Sequence, residues 1–146
     1  MLRKNFVALS LALLLPLAAN ADVYRSVCAN VMNATQDDIA VDGFEVFQGQ
    51  WQPGAAPQEN AVFPANSTWR VCLDSHMIGV APSGNTRLSS RGSYINLEMQ
   101  GSVVGQPKLY IQHSENLFKF DVSRQGLSEF NVTIQPQAEI QTIKTP

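Results

Sequence analysis

An all-β fold, most simply an antiparallel β-sandwich holding one disulfide, is what this sequence predicts, and three observations predict it. Short runs rich in Val, Ile, Phe, Tyr and Thr recur between turn signals along most of the chain. No segment keeps apolar residues at i, i+3, i+4 and i+7 for long enough to make a helix. The chain's two cysteines, Cys28 and Cys72, follow what reads as an export signal, and an even pair in an oxidising compartment most simply bridges.

The first 21 residues, MLRKNFVALSLALLLPLAANA, have the three parts of a secretory signal: basic Arg3 and Lys4, an apolar run from Phe6 to Leu17, and the small-residue site Ala19-Asn20-Ala21. That run is shorter than the roughly 20 apolar residues needed to cross a bilayer. Residues 1–21 are therefore expected to be removed after Ala21, leaving 22–146 as one domain in the periplasm or outside the cell; a retained N-terminal anchor is the alternative. Without Arg3 and Lys4 the chain has eight Lys and Arg against twelve Asp and Glu, a net charge of about −4 with His neutral. Such a balance excludes a strongly cationic attraction to nucleic acid or to an anionic bilayer.

Strands are expected at Tyr24 to Val31, Ile39 to Phe47, Thr68 to Leu73, Ser93 to Met99, Lys108 to Gln112, Leu117 to Val122 and Phe130 to Ile134. Alternation is clearest in LFKFDV, where Phe118, Phe120 and Val122 oppose Lys119 and Asp121, and in FNVTI, where Phe130, Val132 and Ile134 oppose Asn131 and Thr133. Seven such strands at regular spacing fit a two-sheet sandwich or a barrel. The polar tail from Gln135 adds at most an edge strand. An immunoglobulin-type sandwich, which a Cys, Trp, Cys order brings to mind, fits poorly, because Arg70 stands two residues before Cys72 and Trp51 lies among turn residues.

Bridging Cys28 to Cys72 would stabilise the fold by roughly 4 kcal/mol through the closed loop. A reactive cysteine is the alternative, and it would require reducing surroundings. Between and after the cysteines the chain has Asn33 to Thr35 as an Asn-x-Thr turn, the alternating IAVDGFEVFQG, Trp51, a Gly/Pro loop, the PANS turn at Pro64 to Ser67, and WRVC. In this order it resembles the aegerolysins, small β-sandwich proteins similar in architecture to the actinoporins. The resemblance implies a sandwich fold and non-enzymatic recognition of a membrane lipid, sometimes beside a pore-forming, hemolysin-like partner. Where that family carries a Trp-Asp-x-Pro-Trp element this chain has KLYIQHSEN, Lys108 to Asn116, so the family's lipid-binding residues are not carried over.

No catalytic residue, metal ligand or cofactor motif is expected. Asp74-Ser75-His76 sets three triad residue types side by side, but an extended strand turns Asp74 and His76 to one face and Ser75 to the other. His113 beside Ser114 is a second pair, and no G-x-S-x-G elbow is present. Asp37, Asp38 and Asp42 lack the spacing of a calcium loop. Three sequons, at Asn33, Asn66 and Asn131, matter only in a glycosylating secretory pathway.

Ligand-binding candidates are Trp51, Arg87 and Arg91. In GQWQPG, glycines and a proline turn the chain on both sides of Trp51, which places its ring at a strand end or in a loop, either folded over the sandwich or exposed as an anchor. In SGNTRLSSRG, residues 83–92, the two arginines sit among Ser, Thr, Asn and Gly, a composition expected to form a wet loop that can present guanidinium forks to an anion. Loops of a sandwich cluster at its ends, so the three are expected to be able to share one site. The expected function is that of an exported non-enzymatic binding protein for a membrane lipid or other surface ligand. The alternative is a protein-interaction module such as an inhibitor or immunity protein.

Overall fold

The structure is a computed structural model in which residues 25–114 and 117–137 are described. The expected signal peptide, its cleavage site and the end of the tail lie outside the described residues. Ten strands follow one another: β1 Arg25–Asn33, β2 Ile39–Gln48, β3 Gln50–Trp51, β4 Val62–Phe63, β5 Thr68–Ser75, β6 Ser83–Ser90, β7 Ser93–Gln100, β8 Lys108–His113, β9 Phe118–Gln125 and β10 Glu129–Pro136. They make two five-stranded sheets, sheet A in the order β3-β5-β1-β10-β9 and sheet B in the order β4-β2-β6-β7-β8. The fold is an all-β sandwich, as its alternating strands require.

Each strand's period of two decides which side chains meet between the sheets. From sheet A come Val27, Ala29, Val31, Val71, Leu73, Phe130, Val132 and Ile134; from sheet B come Ile39, Val41, Leu88, Ile95, Leu97 and Met99, all buried in one cluster. One pairing departs from the antiparallel rule: β1 and β10 run parallel, Cys28 opposite Glu129 and Asn33 opposite Ile134. The first and last strands thus lie side by side in the middle of sheet A. Parallel neighbours cannot be joined by a short turn, so their adjacency is not readable from local spacing.

The disulfide forms between Cys28 and Cys72, which face each other across β1 and β5 with Cα atoms 4.1 Å apart. Such a bridge is compatible with an oxidising compartment. It lies on the outer face of sheet A, where Ala55 covers it. Unlike an immunoglobulin bridge it staples neighbours within one sheet and leaves the joining of the sheets to side-chain packing.

Residues 83–90 correct the loop expected there: they form β6, in the middle of sheet B. Gly84, Thr86, Leu88 and Ser90 face inward and are buried, while Asn85 and Arg87 face out. Small polar residues have weak strand propensity, and here pairing with β2 and β7 on both sides overrides it. Gly84 is required at its position, since a Cβ there would stand 2.5 Å from the Glu45 carbonyl oxygen. Only the hairpin turn at Arg91 and Gly92 remains a loop; both residues have positive φ, 51° and 78°, as a tight hairpin turn demands.

Strand directions give the sandwich two ends. At one end lie the start of β1, the Gly49 turn, and the connections β5–β6 (76–82), β7–β8 (101–107) and β9–β10 (126–128). At the other lie the connections β1–β2, β4–β5 and β6–β7, with the end of β8 and the start of β9.

Candidate functional site

Trp51 sits in the short edge strand β3, opposite Leu73 of β5. Directly opposed residues of an antiparallel pair point to one face, and Leu73 is core, so the indole turns inward. It is half-buried, packs on the core and meets the Phe44 ring edge-on, centroids 6.2 Å apart. Gly49 makes this possible: its φ is +84° and a Cβ there would lie 2.2 Å from the Asp74 carbonyl oxygen. Of the two placements open for Trp51 in the sequence, the folded-over one holds.

Arg87 lies on the outer face of sheet B. Its Nε is 3.3 Å from Asp42 and its guanidinium carbon 4.7 Å from the centroid of the Tyr94 ring. Arg91 sits in the β6–β7 turn, 3.6 Å from Asp37. The three candidates therefore occupy an inner face, an outer face and a turn, and the structure does not bring Trp51 together with either arginine. Strand alternation separates them: a residue of β3 facing the core cannot share a surface with one of β6 facing solvent.

Around Arg87 the outer face of sheet B is polar. Asn85, Tyr94, Asn96 and Gln112 line a shallow groove of about 450 Å³ together with Asp42, Phe44 and Glu45. Asp42 and Asp37 are each engaged by an arginine. No group of three His, Cys, Asp or Glu side chains is placed to hold a metal ion among the described residues.

Asp74 and Ser75 are buried on opposite faces of β5 and His76 follows the strand, exposed. His113 ends β8, its ring 5.2 Å from that of Phe120. On the outer face of sheet A, Arg70 Nη2 donates to Glu129 Oε1 at 2.6 Å, and Arg70 Nη1 to Asn30 Oδ1. The hydrogen bond from Arg70 holds the Glu129 carboxyl below its ordinary value, and the same bond raises Arg70.

A different site, not anticipated from the sequence, stands at the end of the sandwich where β5–β6, β7–β8 and β9–β10 converge. Arg25 opposes Ser75, and Arg124 opposes Phe130, both on inner faces. Arg25 Nη1 donates to the Ser102 carbonyl at 2.8 Å. Arg124 Nη1 donates to Gln106 Oε1 and Nη2 to the Pro107 carbonyl at 2.9 Å, with the guanidinium 5.4 Å from the Phe130 ring centroid. Both arginines thus reach from sheet A to the β7–β8 connection of sheet B. Together with Ser26, Ser128 and Leu127 they line a pocket of about 390 Å³.

The loops around this pocket carry apolar side chains into solvent. Ile78 is 97 % exposed, Leu127 92 %, Val104 91 % and Met77 68 %; no other described large apolar residue exceeds 56 %. All four stand on the three converging connections. The signal was present in HMIGV, SVVG and QGLS, apolar residues inside turn-rich stretches, but nothing local said that the three would meet. Compared with known proteins, the chain matches no family model and none of the curated sequences.

Proposed function

We propose that this chain is an exported, non-enzymatic binding protein that docks the apolar end of its sandwich on a membrane lipid surface. One observation carries the reading: Met77, Ile78, Val104 and Leu127, the most exposed large apolar side chains described, are gathered on three loops at one end. Scattered apolar residues are normal on a protein surface, and a cluster on protruding loops marks an interaction surface. Moving one Ile, Leu or Val side chain from water into an apolar layer is worth about 1.5 to 3 kcal/mol. A net charge of about −4 in the chain after residue 21 gives no bulk attraction to anionic lipid, so affinity rests on these loops. The export signal, the disulfide and the aegerolysin likeness support the same reading.

Vesicle sedimentation tests it. The chain should sediment with vesicles of mixed phosphatidylcholine and phosphatidylglycerol, and the triple variant Ile78→Asp/Val104→Asp/Leu127→Asp should stay in the supernatant while keeping its circular dichroism spectrum. A wild type that sediments with no vesicle, or a triple variant that sediments equally well, would sink the reading.

The groove on sheet B favours a second reading, a protein partner held by Arg87, Tyr94 and the amides of Asn85, Asn96 and Gln112. That partner would co-purify with wild type and be lost on Arg87→Glu, with vesicles irrelevant to either result.

A further inference from the structure

We infer that the pocket at the apolar end binds a phosphate group through Arg25 and Arg124. The inference deepens the reading of that end as lipid-facing, yet the pocket's affinity for a phosphate can be measured with no membrane present.

Five arginines are described, and three of them meet a carboxylate: Arg70 with Glu129, Arg87 with Asp42 and Arg91 with Asp37. Arg25 and Arg124 meet only neutral acceptors among the described residues. These same two line one pocket, and no Asp or Glu is among its described lining residues. Two guanidinium groups held in one cleft without a counter-charge repel each other, and an anion between them removes that repulsion. The chain is acidic overall, so carboxylates were available to fill this place.

Both groups are also positioned. Fixed carbonyls of Ser102 and Pro107, and the Gln106 amide, each take one hydrogen bond, which fixes the direction of the remaining N–H groups. A guanidinium oriented in advance loses little freedom on binding. Arg25 Nε is buried and has no acceptor among the described residues, so the protein alone does not satisfy this side chain. Ser26 and Ser128 are also among the lining residues. Two guanidinium forks that reach the pocket from different strands offer donors in several directions, which suits a tetrahedral oxyanion better than a planar carboxylate. At about 390 Å³ the pocket falls in the range of small-ligand sites and leaves room for the group esterified to the phosphate.

A phosphate ester of this kind could be free in solution or belong to a lipid whose chains lie against Val104 and Leu127. Calorimetric titration of the full chain, as processed by the cell that makes it, with glycerol phosphate and with sodium acetate at equal ionic strength tests the pocket. Wild type should bind glycerol phosphate and bind acetate more weakly. Arg25→Gln and Arg124→Gln should each weaken binding by about tenfold or more, the effect of losing charge-assisted hydrogen bonds. Lys119→Gln, which removes one positive charge from an exposed position at the other end of β9, should bind as wild type does. Should a Gln variant unfold, Arg25→Lys/Arg124→Lys keeps the charge and removes the forks, and it should bind less tightly than wild type. No heat and no saturation with glycerol phosphate, or unchanged affinity in folded Arg25→Gln/Arg124→Gln, overturns the inference. Vesicles of phosphatidylcholine with and without phosphatidic acid separate the sources. Arginine-dependent gain on phosphatidic acid assigns a lipid phosphate. Glycerol phosphate binding with no vesicle binding keeps the pocket, assigns a soluble ester and removes the lipid-facing reading. Vesicle binding that survives loss of both arginines keeps that reading and overturns this one.

Discussion

The two ends of the sandwich are built from the same strands and differ in how their loops satisfy themselves. At the polar end Asn33 is fully buried; its Nδ2 donates to the carbonyls of Asp37 and Phe63, and its Oδ1 accepts from the Thr35 amide and hydroxyl. Ser90 Oγ donates to the Asp38 carbonyl, Tyr94 N donates to Ser114 Oγ, and Arg91 pairs with Asp37. At the apolar end Ile78, Val104 and Leu127 stand in water and two arginines meet no carboxylate among the described residues. Polar groups and charges that compensate each other hold a fold together, whereas apolar side chains in water and guanidinium charges with no carboxylate beside them can meet something else. A glycan at Asn33 is incompatible with this burial, so that sequon serves structure.

Stability should accordingly be sensitive between the ends and at the polar end, and insensitive at the apolar tips. The largest effect belongs to the staple: replacing Cys28 and Cys72 by Ala should destabilise by about 2 to 5 kcal/mol in urea unfolding. Intact-mass measurement of the untreated chain should show no free thiol.

Asn33→Ala should follow, at about 2 to 4 kcal/mol, because four hydrogen bonds vanish and buried carbonyls lose their donor. Its vesicle binding, measured below the melting temperature, should match wild type. A stable Asn33→Ala would remove the contrast between the ends.

Glu129→Gln should cost no more than about 1 kcal/mol at neutral pH, since the Arg70 and Glu129 side chains are 44 % and 30 % exposed and solvent screens them. Its carboxyl is held low in the fold, so the stabilisation is complete above the unfolded value of about 4.3 and is lost as pH falls through the lower folded value. The variant should therefore unfold with a shallower acid limb than wild type. Equal acid limbs would show the ion pair to be inert.

The smallest stability effect should be at the apolar tips, where Ile78→Asp/Val104→Asp/Leu127→Asp should change unfolding free energy by no more than about 0.5 kcal/mol per site. Loss of vesicle binding at unchanged stability sharpens the comparison between the ends. A large loss of stability would mean that these side chains pack in the fold.

Local pattern carried much of the architecture. Phe118 and Phe120, Phe130, Val132 and Ile134 turn inward as their spacing requires, and Trp51 falls at a strand end because Gly49, Pro53 and Gly54 bracket it. SGNTRLSSRG reads as a loop by composition, because its inward set, Gly84, Thr86, Leu88 and Ser90, alternates correctly but is small or polar at every position except Leu88. A loop there would let Arg87 and Arg91 meet Trp51 at one end of the sandwich; pairing between β2, β6 and β7 holds them apart instead.

By itself, then, the sequence determined the fold class, the disulfide and most strands, because periodicity and an even pair of cysteines are local or compositional properties. Only the tertiary structure decided that β1 and β10 lie parallel at the centre of sheet A, and that connections far apart in sequence meet at one end. Arg25 and Arg124 are 99 positions apart and share a pocket because β1, β10 and β9 are neighbours and the β7–β8 connection folds over them. Strand order comes from the summed burial of two whole sheets, and no window of sequence contains that sum.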